Sequence, residues 1–181
     1  MGRTAPFADV FVDPDADPRV DVPGNGSERD LLGLFLRWQR QTLELKCAGL
    51  TPEQLASRPI PMTTMSLLGL LRHMADVERS WFRRRLAGED VPRRYSFEDD
   101  RDGDWDNATA GVADEGWAAW REEVAFAEAF YDANDLDARG RGEGMAELSL
   151  RWVMLHMIEE YARHNGHADL LRQAIDGRVG Q

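Results

Sequence analysis

Apolar side chains return every three or four positions along four stretches of this chain, and that periodicity predicts four long helices. Leu31, Phe35, Trp38, Thr42 and Leu45 mark the first, over 28–48, with Ser27 as its cap, Asp30 three residues on and Gly49 as its stop. Leu67, Leu70, Met74, Val77 and Trp81 mark the second, over 65–87, capped by Thr63 or Thr64 and closed by Gly88. Trp117, Trp120, Val124, Ala127 and Tyr131 mark the third, over 114–134. The fourth spans 147–176 and ends at Gly177. Between the first two, Thr51-Pro52-Glu53-Gln54 has the capping-box pattern with proline at the first helical position, so a short helical turn is expected before Pro59 and Pro61. No segment alternates with period two. Four amphipathic helices bury their stripes against one another, which predicts an all-α four-helix bundle.

The remaining segments read as connections. Residues 1–26 hold Pro6, Pro14, Pro18, Pro23 and several glycines, with Asp13, Asp15 and Asp17 among them, and are expected to form an extended N-terminal arm. The bundle then occupies 27–181. Residues 89–112 lack apolar periodicity and read as a long acidic connection, of the kind that often carries function. Asp99, Asp100, Asp102, Asp104 and Asp106 surround Gly103, but no register supplies the offsets and the terminal glutamate of a calcium loop, so a solvated acidic loop is expected. Trp38, Trp81, Trp117, Trp120 and Trp152 are expected as core anchors.

Composition narrows the partners. The chain has 181 residues, and its 43% hydrophobic and 30% charged content is that of a globular domain. Its formal net charge of −11 disfavours nucleic acid and anionic membranes as partners. No apolar run approaches the roughly 20 residues of a membrane span, and the first residues lack the pattern of a secretory signal. The one cysteine, Cys47, excludes an internal disulfide and fits a cytoplasmic protein. It has no adjacent histidine to mark it as a nucleophile.

The chemistry concentrates in the fourth helix, where His156, Glu159, Glu160, His164 and His167 crowd one stretch. At about 100° per residue, Glu160 and His164 fall on the same stripe as Val153, Met157, Leu171 and Ile175. A carboxylate and an imidazole four apart on an inner face can hold one metal ion. They can equally be hydrogen-bonded core residues, with Glu160 paired to Arg163 or Arg72. His73, mid-way along the second helix beside Leu70 and Val77, is the remaining histidine and a candidate third ligand. His156-Met157-Ile158-Glu159-Glu160 fails as a zinc-protease motif because it ends in Glu, and there are no Glu-x-x-His pairs for a di-iron site. No Ser-His-Asp arrangement, phosphate loop or dinucleotide fingerprint is present.

The stretches Ser66–Phe82 and His156–Arg172 resemble the second- and fourth-helix signatures of the DinB superfamily, most closely an actinobacterial branch of unknown function, and Lys46–Leu55 also fits. The likeness covers about residues 27–177. It implies a bundle with one divalent metal, usually zinc or nickel, held by a second-helix histidine and two fourth-helix residues four apart. Many members use two histidines there; mycothiol-dependent maleylpyruvate isomerase has a glutamate in the first place. Carried onto this chain, the ligands are His73, Glu160 and His164, with Glu159, His167 and His156 as residues around them. The superfamily includes S-transferases and isomerases that use mycothiol or a related thiol as cosubstrate. The resemblance therefore implies a metal-dependent thiol transferase or isomerase acting on a small molecule, as a possible homodimer. The competing readings are a non-catalytic metal- or ligand-binding stress-response protein, and a metal-free structural bundle.

Overall fold

Three of the four long helices begin at a serine whose hydroxyl accepts a backbone N–H of the first turn. In the computed structural model, which describes residues 11–13, 15, 17–142 and 144–180, Ser27 opens α1 (Glu28–Cys47) by accepting from Asp30 N at 3.1 Å. Ser66 opens α3 (Leu67–Glu78) on Gly69 N at 3.0 Å, and Ser149 opens α6 (Leu150–Asp176) on Trp152 N at 3.2 Å. The expected capping box at Thr51 is formed and starts the short α2 (Pro52–Ala56). A four-residue α4 (Gly103–Asp106) and a 3₁₀ turn (Ala110–Val112) lie within the acidic connection, and α5 (Ala113–Ala133) follows. Among the described residues there is no strand, only one isolated bridge between Arg139 and Ser149. The all-helical bundle expected from the sequence is the architecture found. No helix of the described residues is long and apolar enough to cross a membrane.

α1 packs chiefly along α6, and α3 along α5. Their shared core holds Leu36, Leu43, Leu70, Met74, Met157 and Leu171, all essentially fully buried. One polar chain runs through it. Glu78 accepts two bonds from Arg40, at 2.7 and 2.8 Å, and a third from the Tyr161 hydroxyl at 2.8 Å. Trp120 Nε1 donates to the same hydroxyl at 2.9 Å. Each of the four long helices contributes one of these side chains. Burial opposes the Arg40 charge, but the bidentate carboxylate prevails and raises its pKa above the ordinary value. Burial and then Glu78 push the Tyr161 phenol well up, so it stays a donor.

Four sequence expectations change. The second helix is capped by Ser66, not Thr63 or Thr64, and after Glu78 it widens into a π-helical segment, Arg79–Ala87, that ends on Gly88 at φ 73°. The fourth helix starts at Leu150, because Gly140 N bonds Leu148 O and Leu150 N bonds Ala138 O, which keeps 148–149 out of the helix. The stripe assigned to α1 is out of phase: Phe35 is 46% exposed, while Leu32, Leu36, Leu43 and Cys47 are buried together with Arg40 and Lys46. Those two cations satisfy themselves inside, Arg40 on Glu78 and Lys46 on Asp169 at 2.7 Å, so the true inner face reads as polar. Trp152, expected as a core anchor, is 47% exposed.

Part of the expected arm, residues 1–10, 14 and 16, lies outside the described residues. Residues 17–26 carry no helix, and Arg19 is buried against α1, donating to Thr42 Oγ1 at 3.1 Å.

Removing one partner of the buried pair leaves a charge without compensation. Glu78→Leu should lower stability by roughly 3–5 kcal/mol, whereas Arg40→Met with Glu78→Leu should recover most of that loss. Urea midpoints of the three proteins check this; a single variant no worse than the double would refute it.

Candidate functional site

His73 sits on the face of α3 that meets α4, and α4 is held there by donors from elsewhere in the chain. Arg72 donates to Asp104 O at 3.1 Å and Gly103 O at 3.0 Å, while Arg58 donates to Trp105 O and Asp106 O at 3.0 Å each. The close approach depends on Gly69, where an added Cβ would stand 2.8 Å from Cε3 of Trp105. This docking presses the Trp105 ring against His73, with centroids 5.0 Å apart and planes 28° from parallel. It also brings Asp104 Oδ2 to 2.8 Å from His73 Nδ1. As a carboxylate, Asp104 accepts from Nδ1–H, fixes the tautomer and leaves the Nε2 lone pair available.

Asp104 is the residue of the candidate site that the sequence did not single out. Read as one of five solvated aspartates, its side chain is only 3% exposed, and Oδ1 also accepts Trp105 N at 3.0 Å. Nothing in the run of alternating acids distinguishes it; only the tertiary contact does. The connection around it is likewise more ordered than an acidic loop. Asp76 accepts the backbone N–H groups of Arg94, Tyr95 and Ser96 at 2.6, 3.0 and 3.0 Å and anchors that segment to α3.

α6 brings the other candidates to the same place. His164 is buried, and its ring centroid lies 4.8 Å from that of His73. Its Nε2 is 3.6 Å from Glu160 Oε2, and its Nδ1 is 3.3 Å from His167 Nδ1. Glu160 Oε1 lies 3.4 Å from His156 Nε2, so this carboxylate stands between two imidazoles, paired with neither Arg163 nor Arg72. His156 stacks on Trp152 and meets the edge of Trp81, at centroid distances of 5.0 and 4.6 Å. Glu159 faces solvent and pairs with Arg163 at 3.3 Å. Burial, then the neighbouring His73, His167 and Arg163, lower the His164 pKa to about 4. At neutral pH this imidazole therefore carries no proton charge and offers a lone pair.

A cleft of about 290 Å³ opens beside these groups, with His73, Asp104, Trp105, Trp81, His156 and Glu160 in its wall. The donors suit a divalent ion in kind: two imidazoles and a carboxylate from two helices, one imidazole oriented by a buried acid. Among the described residues, however, no three His, Cys, Asp or Glu side chains stand as a preformed ligand set. Cys47 takes no part. It is buried in the core, and burial pushes its thiol up to about 12, which leaves it inert at neutral pH.

Comparison with known proteins gives one finding. The profile of the family described as MST, mycothiol-S-transferase, matches residues 31–177. No curated protein matches the chain.

Keeping His164 neutral has a pH signature. In the unfolded chain this group takes up a proton near pH 6.5, while in the fold it does so near 4, so the unfolded state binds more protons between those values. Stability should therefore fall as pH drops from about 6.5 to about 4 and level off below. His164→Gln should flatten this slope. Thermal midpoints of both proteins in chelator, taken across that window, test it; parallel curves would refute the assignment.

Proposed function

The chain belongs to the mycothiol-S-transferase family, within the DinB-like superfamily, and on that premise we propose that it joins the sulfur of a low-molecular-weight thiol to a small electrophile at the His73–Glu160 cleft, with a divalent metal held by His73, Glu160 and His164. The observation that carries this reading is the apposition of His73 and His164 from two different helices, 4.8 Å between ring centroids, with Glu160 beside them at the cleft wall.

Each residue has a task that follows from its surroundings. Asp104 holds His73 in the tautomer that turns Nε2 outward. Burial keeps His164 uncharged, so no proton competes for its nitrogen at neutral pH. Glu160 brings one negative charge, which leaves a divalent site net positive and able to attract an anionic sulfur. Zinc or nickel bound there would supply a Lewis acid that keeps the thiol as thiolate near neutral pH. The sulfur that attacks must come from the cosubstrate, because the single cysteine of the chain is sealed in the core. Its bond to the electrophilic carbon forms as the leaving group departs. Trp81 and Trp105 flank the cleft and shield the reacting atoms from water.

One observation favours the alternative of a ligand-binding protein without turnover. His156 Nε2 stands 3.4 Å from Glu160 Oε1, close enough to add a further donor to the coordination shell.

Metal titrations separate the roles. His73→Ala, Glu160→Ala and His164→Ala should each abolish tight zinc or nickel binding. Asp104→Asn, His156→Ala and His167→Ala should weaken it by at most roughly 10–100-fold. Undiminished affinity in Glu160→Ala together with loss in His167→Ala would mean that the neighbouring pair holds the ion.

Metal-dependent conjugation of an electrophile by mycothiol, followed by loss of free thiol, tests the activity itself. No turnover across a broad set of electrophiles would favour the binding protein.

A further inference from the structure

The cleft has a second chemical character, set by arginines that form no ion pair among the described residues. Arg85, Arg93 and Arg101 line the same cavity as His73 and Glu160. Among the described residues, none of the three forms an ion pair. Arg85 donates to Ser80 Oγ at 2.6 Å and lies 4.2 Å above the Trp81 ring. Arg84, likewise without an ion pair among the described residues, joins Arg85 and Arg93 around an adjoining cleft of about 440 Å³. With 33 acidic residues against 22 basic ones, many arginines elsewhere find carboxylates: Arg40 on Glu78, and Arg79, Arg83 and Arg94 together on Glu123.

Several acids near the cluster are committed to other work. Asp76 holds three backbone amides, Asp104 holds His73, Glu160 stands between two imidazoles, and Glu89 pairs with Arg83 at 3.3 Å. Asp102 remains at the rim, and Asp90 and Glu98 line the adjoining clefts; all three are exposed. The cations are not needed to complement the end of the π-helical segment either. There Arg141 N and Gly142 N already occupy Arg85 O, at 3.1 and 3.0 Å. Burial, and after it the nearby charges of Arg93 and Arg84, lower the Arg85 pKa.

We propose that Arg85, Arg93 and Arg101 form an anion-binding subsite that takes a carboxylate or phosphate group of the small molecule acted on at the neighbouring histidines. Guanidinium forks match the paired oxygens of either group, and the half-enclosed cleft strengthens each bond. Identification of that molecule as the electrophile of an S-transfer rests on the function proposed above; the binding of the anion does not.

The test uses the full chain in chelator, titrated by calorimetry with malonate in one arm and inorganic phosphate in the other. Saturable binding is expected in at least one arm, and the stronger arm identifies the group. Arg93→Gln with Arg101→Gln, both at exposed positions that the fold does not need, should weaken it by about tenfold or more. Arg85→Gln should do the same, and Arg121→Gln, on a distant surface where it pairs with Glu44, should leave it unchanged. Absence of saturable binding in both arms, or equal binding in the cluster variants, overturns the subsite. Kinetics add a second readout: the Arg93/Arg101 variant should raise KM for a carboxylate electrophile and leave KM for its methyl ester as it was. Anion binding without any thiol turnover would keep the subsite and remove the transferase reading. Turnover of neutral electrophiles without anion binding would do the reverse.

Discussion

A single carboxylate at the centre of the bundle fixes where everything else can stand. Glu78 is fully buried and is bonded by Arg40 from α1 and Tyr161 from α6, with Trp120 from α5 held through the tyrosine hydroxyl. Apolar packing is tolerant of small slips between helices, because one leucine contact replaces another at little cost. A buried charge is not tolerant, since a slip would strand an ion in the core. The four helices therefore meet in one register. His73 lies on the same helix as Glu78, and His164 lies less than one turn beyond Tyr161. The separation of the two imidazoles is set by this clamp from within the core.

Charge is distributed in a second layer around it. Glu123, buried on α5, gathers Arg79, Arg83 and Arg94, and their hydrogen bonds outweigh burial to hold its carboxyl below the usual range. That cluster ties the π-helical segment and the connection after it to α5. Asp76 and Arg72 tie the next part of the same connection to α3. Between these anchorages the chain presents Trp105 and Asp104 to His73 and leaves the arginines of the cleft facing outward. An acidic protein thus keeps three arginines in this wall without an ion pair among the described residues, because Asp76, Asp104 and Glu160 beside them are engaged with backbone amides and imidazoles.

The helices were legible because three-to-four spacing and serine, threonine, proline and glycine punctuation are local signals. His73, Glu160 and His164 could be singled out because an imidazole or carboxylate on an apolar stripe breaks the pattern. The phase of α1 was misread for the converse reason. Arg40 and Lys46 sit on its inner face, and their partners lie on other helices, so spacing alone placed Phe35 inside. Asp104 was hidden by its neighbours: it is one acid among five, buried only because Arg72 and Arg58 dock its helix. The widening after Glu78 left no mark in the hydrophobic pattern, because Arg79–Ala87 holds too few apolar residues to show a change of winding.

That widening makes the segment between Glu78 and Gly88 sensitive to residue count in a way that loops are not. A π-turn is an α-helix that has absorbed one extra residue without lengthening its path. Take that residue away and the remaining chain can rewind as ordinary α-helix, with positions on either side of the excision turned by about 100° relative to each other. Trp81 and Arg85 would then leave the wall they share with Glu160, while Glu78 stayed clamped. A related chain that kept a plain helix here would align with this one only if its gap fell inside the helix. Evolutionary change in this wall can thus come by insertion within a regular element, where a single codon redirects several side chains at once.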